Sequence, residues 1–363
     1  MAVEDTIEWR KVVWQRMASA DPSASYSKKM IDPTGLTQSG RPIGFSHCQI
    51  PPAVSRRPQL RIRALGLLAV LALPGWLLLA DPLGAAEATT AFEVKIETGV
   101  VFTAPEMVEL HCDIYSPVAR EESAKGRPAI LLIHGGAWSS GSRRGLGGYA
   151  LRLARNGFVA IAIDYRLAPR WKFPAQVDDV RTAIRWMSDH SEPLGIDPSR
   201  IGIFGYSAGG HLACLIGTLV DEPLETQASA SLWPLNDQRL QNPIKPAAIC
   251  AGGPPCDLMN VPGGLAFFLG GSPQQIPEVY TAASPLTHAS AGDIPTLVIH
   301  GLADSIVPVQ CSKSLYQSQR DLGVASEFLA FEAQGHLLTF LNPKTAESMV
   351  DFFRRKLNHP PAP

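Results

Sequence analysis

Apolar and polar positions alternate with a strand period, then a helix period, along most of this chain. Residues 92–97 and 108–115 alternate one by one, which predicts two exposed-face strands, the first at a sheet edge; Ser116-Pro117 stops the second. Residues 128–133 and 158–163 are unbroken apolar runs, the pattern of strands buried on both faces of a parallel sheet. Between them, residues 141–156 read as helical after a glycine-rich entry, and the polar residues 119–127 read as a turn. Val177, Val180, Ala183, Ile184 and Met187 form one stripe and predict a helix over residues 174–190. Further strands are expected at 201–204, 247–253, 296–300 and 325–331. Helices are expected at 211–219, 309–322 and 345–357, with a short apolar one at 265–269. A long polar, proline-punctuated excursion occupies residues 222–246. This order predicts an α/β fold: a mostly parallel sheet with helices on both faces and one hydrophobic core, forming a single domain over residues 89–363.

The pattern changes before residue 89. Residues 1–55 are polar, rich in serine and proline, and have no sustained period; they are expected to be disordered or to lie upstream of the true start, for which Met30 is a candidate. A basic segment at 56–63 precedes seventeen uncharged residues, 64–80, and small residues around Ala86 and Ala88. Basic, apolar and small in that order predicts a signal peptide and export to the periplasm or beyond the cell. A retained anchor is the alternative, and only then would the chain touch a membrane; Pro74-Gly75 interrupts the span.

Composition narrows the chemistry. The chain has 363 residues, a net charge of −1, 31 prolines and 31 glycines, and the part after residue 88 is mildly acidic, which argues against a nucleic-acid partner. Six cysteines match no metal spacing. Cys250 and Cys256 could bridge in an exported protein, but buried free thiols are the plainer reading. No dinucleotide loop follows a suitable strand, so neither a metal nor a cofactor is expected.

Candidate chemistry begins with Gly205-Tyr206-Ser207-Ala208-Gly209-Gly210, set between a strand and a helix. A serine on so sharp a turn has a strained backbone, and only small residues fit two positions to either side. A serine hydroxyl needs a base. His336, in Gln334-Gly335-His336, follows the last strand on an expected flexible loop, and Asp304, in His300-Gly301-Leu302-Ala303-Asp304, follows the strand before it. The order Ser207, Asp304, His336 is that of a nucleophile, an orienting acid and a base. The glycines of His134-Gly135-Gly136 let backbone amides approach an oxyanion, so Gly135, Gly136 and Ala208 are the expected oxyanion hole, one of the two glycines supporting the loop instead as an alternative. Ala137, Trp138 and Tyr206 are the expected pocket lining, with core packing as the alternative for Trp138. His134 and His300 end buried strands and read as structural; His211 and His288 are weaker candidates. Arg166 is expected to tie its loop to Asp178 or Asp179 as scaffold.

These motifs, with Asp164-Tyr165-Arg166-Leu167-Ala168-Pro169, resemble the alpha/beta-hydrolase esterases related to hormone-sensitive lipase. Tyr206 makes the chain more similar to the bifunctional acetylxylan esterase/feruloyl esterase branch. The resemblance covers roughly residues 110–357. It implies Ser207, Asp304 and His336 as the triad and serine-dependent hydrolysis of short-chain carboxylic esters, with a small-molecule ester or an acylated polysaccharide as substrate. A substantial N-terminal helical cap, common near hormone-sensitive lipase, has no counterpart here, which implies an open site. A peptidase or amidase on the same fold, or a non-catalytic binding protein, are the alternatives.

Overall fold

The computed structural model describes residues 91–118, 126–261 and 264–357. The stretches read as disordered (1–55) and as a signal or anchor (56–88), and most of the expected polar turn (119–125), lie outside the described residues. Eight strands form one sheet: β1 (Val94–Thr103), β2 (Leu110–Pro117), β3 (Arg127–Ile133), β4 (Val159–Ile163), β5 (Ile196–Tyr206), β6 (Ala248–Gly252), β7 (Thr296–Gly301) and β8 (Glu327–Phe331). Their spatial order is β1-β2-β4-β3-β5-β6-β7-β8. The β1–β2 and β2–β4 pairings are antiparallel, and every pairing from β4 through β3 to β8 is parallel. The carboxyl ends of β3 and of β5 to β8 therefore open on one rim, where the loops carrying the candidate side chains leave the sheet.

Alternation along the strands divides the interior. Leu131, Ile133, Ile161, Ile163, Ile201, Ile203 and Ile249 face one side, packed under α2 (Ala175–Asp189) and α3 (Ala208–Leu219). Ile130, Leu132, Ala160, Ala162, Phe204 and Cys250 face the other, under α1 (Gly147–Arg155) and the closing helix, Pro343–Leu357. The single core expected from the sequence is thus two apolar layers, because a sheet covered on both faces separates what it buries. Helix α4 (Val309–Asp321) lies between β7 and β8, α5 (His336–Leu341) follows β8, and α6 is the closing helix.

Two strand boundaries differ from expectation for local reasons. β1 continues to Thr103 through register shifts on either side of Val100, where Gly99 takes φ +72° and its N–H donates to Asp113 Oδ1 at 2.9 Å. A bulge breaks strict alternation, so the period fades there. β5 starts at Ile196, opposite Arg127, and rejoins β3 at Ile201 opposite Ala129, again after a register shift. The five described cysteines are buried free thiols; Cys250 and Cys256 are not bridged.

Candidate active site

Ser207 sits between β5 and α3 with φ 56° and ψ −120°, a positive φ that is strained for any residue with a side chain. Its neighbours explain how the turn closes. A Cβ on Gly205 would overlap the Gly209 carbonyl, and one on Gly209 would overlap the carbonyl of Ile133 on the adjacent strand. The crossing of β5, α3 and β3 has no room for a methyl group at either position. All twelve residues of α3 are buried, so the helix behind the serine is fixed on every side.

The Ser207 N–H donates to Gly252 O at 2.7 Å, which draws the end of β6 against the turn. The next residue, Gly253, brings in the histidine. It has φ +53°, and a Cβ there would stand 2.9 Å from His336 Cε1 and 3.1 Å from Nδ1. Ser207 and His336 therefore each abut one residue of the Gly252-Gly253 pair. His336 opens α5 and points Nδ1 at Asp304 Oδ2, 2.6 Å away. The Asp304 side chain is 1% exposed, and its Oδ1 accepts the N–H groups of Ile306 and Val307, each at 2.9 Å. Burial alone would raise this carboxyl. Hydrogen bonds from His300, His336 and the Val307 amide outweigh it and hold Asp304 well below the usual carboxylate range. His336 Nε2, the other ring nitrogen, is buried without a hydrogen-bond partner among the described residues. An imidazole with one nitrogen held by a carboxylate and the other left over, against the same glycine pair as a strained serine, has the parts needed to move a proton.

The glycine loop after β3 has two distinct jobs. A Cβ on Gly135 would lie 3.1 Å from Ser207 Cβ and 2.9 Å from Tyr206 O, so its backbone runs directly over the nucleophile turn. Gly136 has φ +114°, and its carbonyl accepts Ser139 and Ser140 N–H groups at 3.1 and 3.0 Å; it builds the turn that carries the loop away. Ala208 is the first residue of α3, where N–H groups have no intrahelical acceptor.

The three expected pocket residues separate. Ala137 is exposed, but Trp138 is 3% exposed. Its indole stacks on Phe268 at 4.3 Å and 4°, and its Nε1–H donates to His211 Nδ1 at 3.1 Å. His211 donates its other N–H to Ala283 O at 2.7 Å, and burial lowers its pKa to about 4, so it stays neutral. Core packing is the observed role of Trp138. Tyr206 is also buried, 5% exposed. Its hydroxyl donates to His336 O at 2.6 Å and its ring lies edge-on to the imidazole, so it supports the histidine. Sequence reasoning placed it one residue from the serine but had no means of seeing a partner 130 positions away.

The remaining candidates are scaffold. His134 is buried and stacked on Tyr165, whose hydroxyl donates to His134 O at 3.1 Å. Arg166 pairs with Asp179 at 2.8 Å and reaches Glu106, while Asp178 accepts from Ser231 and Leu232. Asp164 is joined to Arg143, which also holds Asp113 at 2.7 Å. His288, buried, faces Ala282 O at 3.0 Å.

Gly253 is the site residue that motif reading missed. Replacing it with alanine imposes both a strained φ and a methyl group against the imidazole. Gly253→Ala is expected to cut kcat by about ten- to a hundredfold, since a displacement of about 1 Å at a proton-transfer group has that scale of effect. Steady-state kinetics beside a thermal melt would check it; unchanged kcat would mean the contact is slack.

The BD-FAE family model matches residues 112–318, more than half of the chain and inclusive of Ser207 and Asp304; His336 lies beyond it. Esterase LipC of Mycobacterium tuberculosis is 31% identical over 227 residues, covering 60% of this chain and 54% of that protein. The probable carboxylic ester hydrolase LipM of the same organism is 32% identical over 207 residues, covering 54% and 45%. This chain spans about half the length of the curated relatives it matches. Among solved structures, the esterase Est2 of Thermogutta terrifontis superposes with TM-score 0.58 at 29% identity, covering 74% of this chain and 93% of that one. A carbohydrate esterase from gut microbiota superposes with TM-score 0.64 at 24% identity over 75% and 99%, a likeness of fold alone.

Proposed function

This chain belongs to the BD-FAE family, and from that premise we propose that it hydrolyses carboxylic esters through an acyl-enzyme on Ser207. One observation carries the reading: His336 is held by Asp304 at 2.6 Å through one nitrogen, while its other, buried nitrogen has no hydrogen-bond partner among the described residues. Ser207 Oγ attacks the ester carbonyl as His336 Nε2 takes its proton. The amides of Gly135 or Gly136 and of Ala208 receive the charge that develops on the carbonyl oxygen. His336 returns the proton to the departing alcohol. Water, deprotonated by the same nitrogen, then cleaves the acyl-enzyme and restores the serine. A narrower kinship with hormone-sensitive lipase esterases belongs to the same proposal and is supported by the shared motifs alone.

Short acyl groups are the preferred substrates in this reading. Trp138, next beyond the glycine loop but one, is locked into an aromatic stack with Phe268 and hydrogen-bonded to His211. The excursion at residues 222–246 holds only the short helices Leu224–Ser229 and Gln238–Gln241, too little to wrap a long chain. The Thermogutta esterase has been solved with propionate and with butyrate bound, which accords with small acyl groups. Acetyl or feruloyl decorations on polysaccharide are the natural extension for an open rim.

The test is kcat/KM across p-nitrophenyl esters from acetyl to dodecanoyl, with acetylated xylan and methyl ferulate alongside. Each fully buried methylene would add about 0.8 kcal/mol, so four would raise kcat/KM more than about a hundredfold. The expected profile is flat or falling beyond about four carbons, since an open site forgoes that gain. A steady rise through the octanoyl ester would overturn the short-chain reading and point to a lipid pocket.

A further inference from the structure

Asp304 is shared by two histidines. Besides His336, it faces His300, the residue that motif reading set aside as structural. His300 is fully buried near the end of β7, and its Nε2 stands 3.2 Å from Asp304 Oδ2, the same oxygen that binds His336 Nδ1 at 2.6 Å. Nε2 is also 3.0 Å from Val307 O. A carboxylate and a carbonyl are both acceptors, so Nε2 must carry a proton. The opposite nitrogen, Nδ1, is 2.6 Å from Ser312 Oγ, which is itself 3.0 Å from Pro254 O. Whichever way the Ser312 proton turns, Nε2 remains the donor toward Asp304.

We propose that His300 is a positioning residue for ester hydrolysis: its Nε2–H fixes the Asp304 oxygen that orients His336. This rests on the triad reading above. A carboxylate can rotate about its Cβ–Cγ bond and present either oxygen to the imidazole. The Ile306 and Val307 amides hold Oδ1, and His300 holds Oδ2, the oxygen that His336 also meets. With both oxygens held, Oδ2 presents a fixed lone pair to His336 Nδ1–H. The ring behind it is in turn anchored through Ser312 to Pro254, on the loop that follows β6. Preorganising a reacting group through a second layer of held partners is worth about ten- to a hundredfold in rate. The role is separate from packing: a ring that only filled space would not need its Nε2 proton aimed at the carboxylate.

Two variants separate the roles. In His300→Gln the amide nitrogen stands as many bonds from Cα as Nε2 does, so it can still donate to Asp304. In His300→Asn the nitrogen matches Nδ1 and leaves Asp304 without its donor. Asn is expected to lower kcat about ten- to a hundredfold with KM within about twofold, and Gln to recover most of that loss at a similar Tm. Equal kcat for the two variants, whether both reduced or both normal, would overturn the proposal. Should the Asn variant not fold, ring ¹⁵N spectra of the unmutated protein at neutral pH decide it. A protonated His300 Nε2 whose N–H signal moves in Asp304→Asn supports the role, and an unprotonated Nε2 sinks it. The reading beneath fails differently. A harmless Asp304→Asn would remove the triad itself, whereas a crippled Asp304→Asn beside a normal His300→Asn would discard only His300.

Discussion

Ser207→Ala is expected to lower kcat on p-nitrophenyl acetate by about 10⁴- to 10⁶-fold and to leave the melting temperature within a few degrees of wild type. The oxygen removed is the one that forms the acyl bond; nothing else at the site can replace it. What survives is the charge stabilisation by the loop amides, which still favours attack by water to a small extent. The fold has no stake in the hydroxyl, because the turn is set by the overlap-limited glycines at 205 and 209 and by the Ser207 N–H bond to Gly252. An organophosphate gives an independent readout. Esterase 2 of Thermogutta terrifontis has been solved phosphorylated by paraoxon, so paraoxon is expected to add one phosphoryl group to this protein and none to the variant. Retention of more than a few per cent of kcat by the variant, or unaltered phosphorylation, would move the nucleophile elsewhere.

The parts of this molecule that were legible in its sequence are those whose causes are local. Unbroken apolar runs located the buried strands β3 and β4 because burial on both faces leaves no polar phase. The serine turn was legible in part because one exclusion is local: a side chain on Gly205 would strike Gly209 four residues on, whereas Gly209 is kept small by Ile133 on the adjacent strand and was legible only through the motif. The parts that were not legible depend on contacts between distant segments. Gly253 looks like any glycine after a strand until His336, 83 positions later, is found against its Cα. Tyr206 and Trp138 read as pocket residues from their place beside motifs, yet tertiary partners drew both inward: His336 O for one, Phe268 and His211 for the other. The loop expected at His336 is the start of a helix. Leu337, Leu338 and Leu341 on that helix are each more than 60% exposed and Phe340 alone of its apolar residues packs on the core, so no apolar stripe is there for a periodicity search to find.

Asp304→Asn is expected to cost about 10⁴ in kcat while the protein stays folded, and the reason lies in which way the new amide must turn. Oδ1 of Asp304 accepts two backbone N–H groups, from Ile306 and Val307. Placing the amide nitrogen there would set two backbone donors against a donor and lose both bonds, the Val307 one part-buried. Asparagine therefore keeps its oxygen toward those amides and puts its NH₂ where Oδ2 now meets His336 Nδ1 at 2.6 Å. Facing a donor, Nδ1 must become the acceptor, and the ring proton moves to Nε2. That is the nitrogen required to take the serine proton, so the imidazole is held in the wrong tautomer at the start of every turnover. The carboxylate charge that would offset the imidazolium is lost as well. Since His300 Nε2–H also points at this position, the NH₂ meets a second donor there, which opposes the fold slightly and predicts a modest drop in Tm. The measurements are kcat on an aryl acetate and a thermal melt of the same preparation. A variant within tenfold of wild-type kcat would assign the orienting role to another carboxylate, whereas loss of folding would show that the loop, more than the histidine, depends on Asp304.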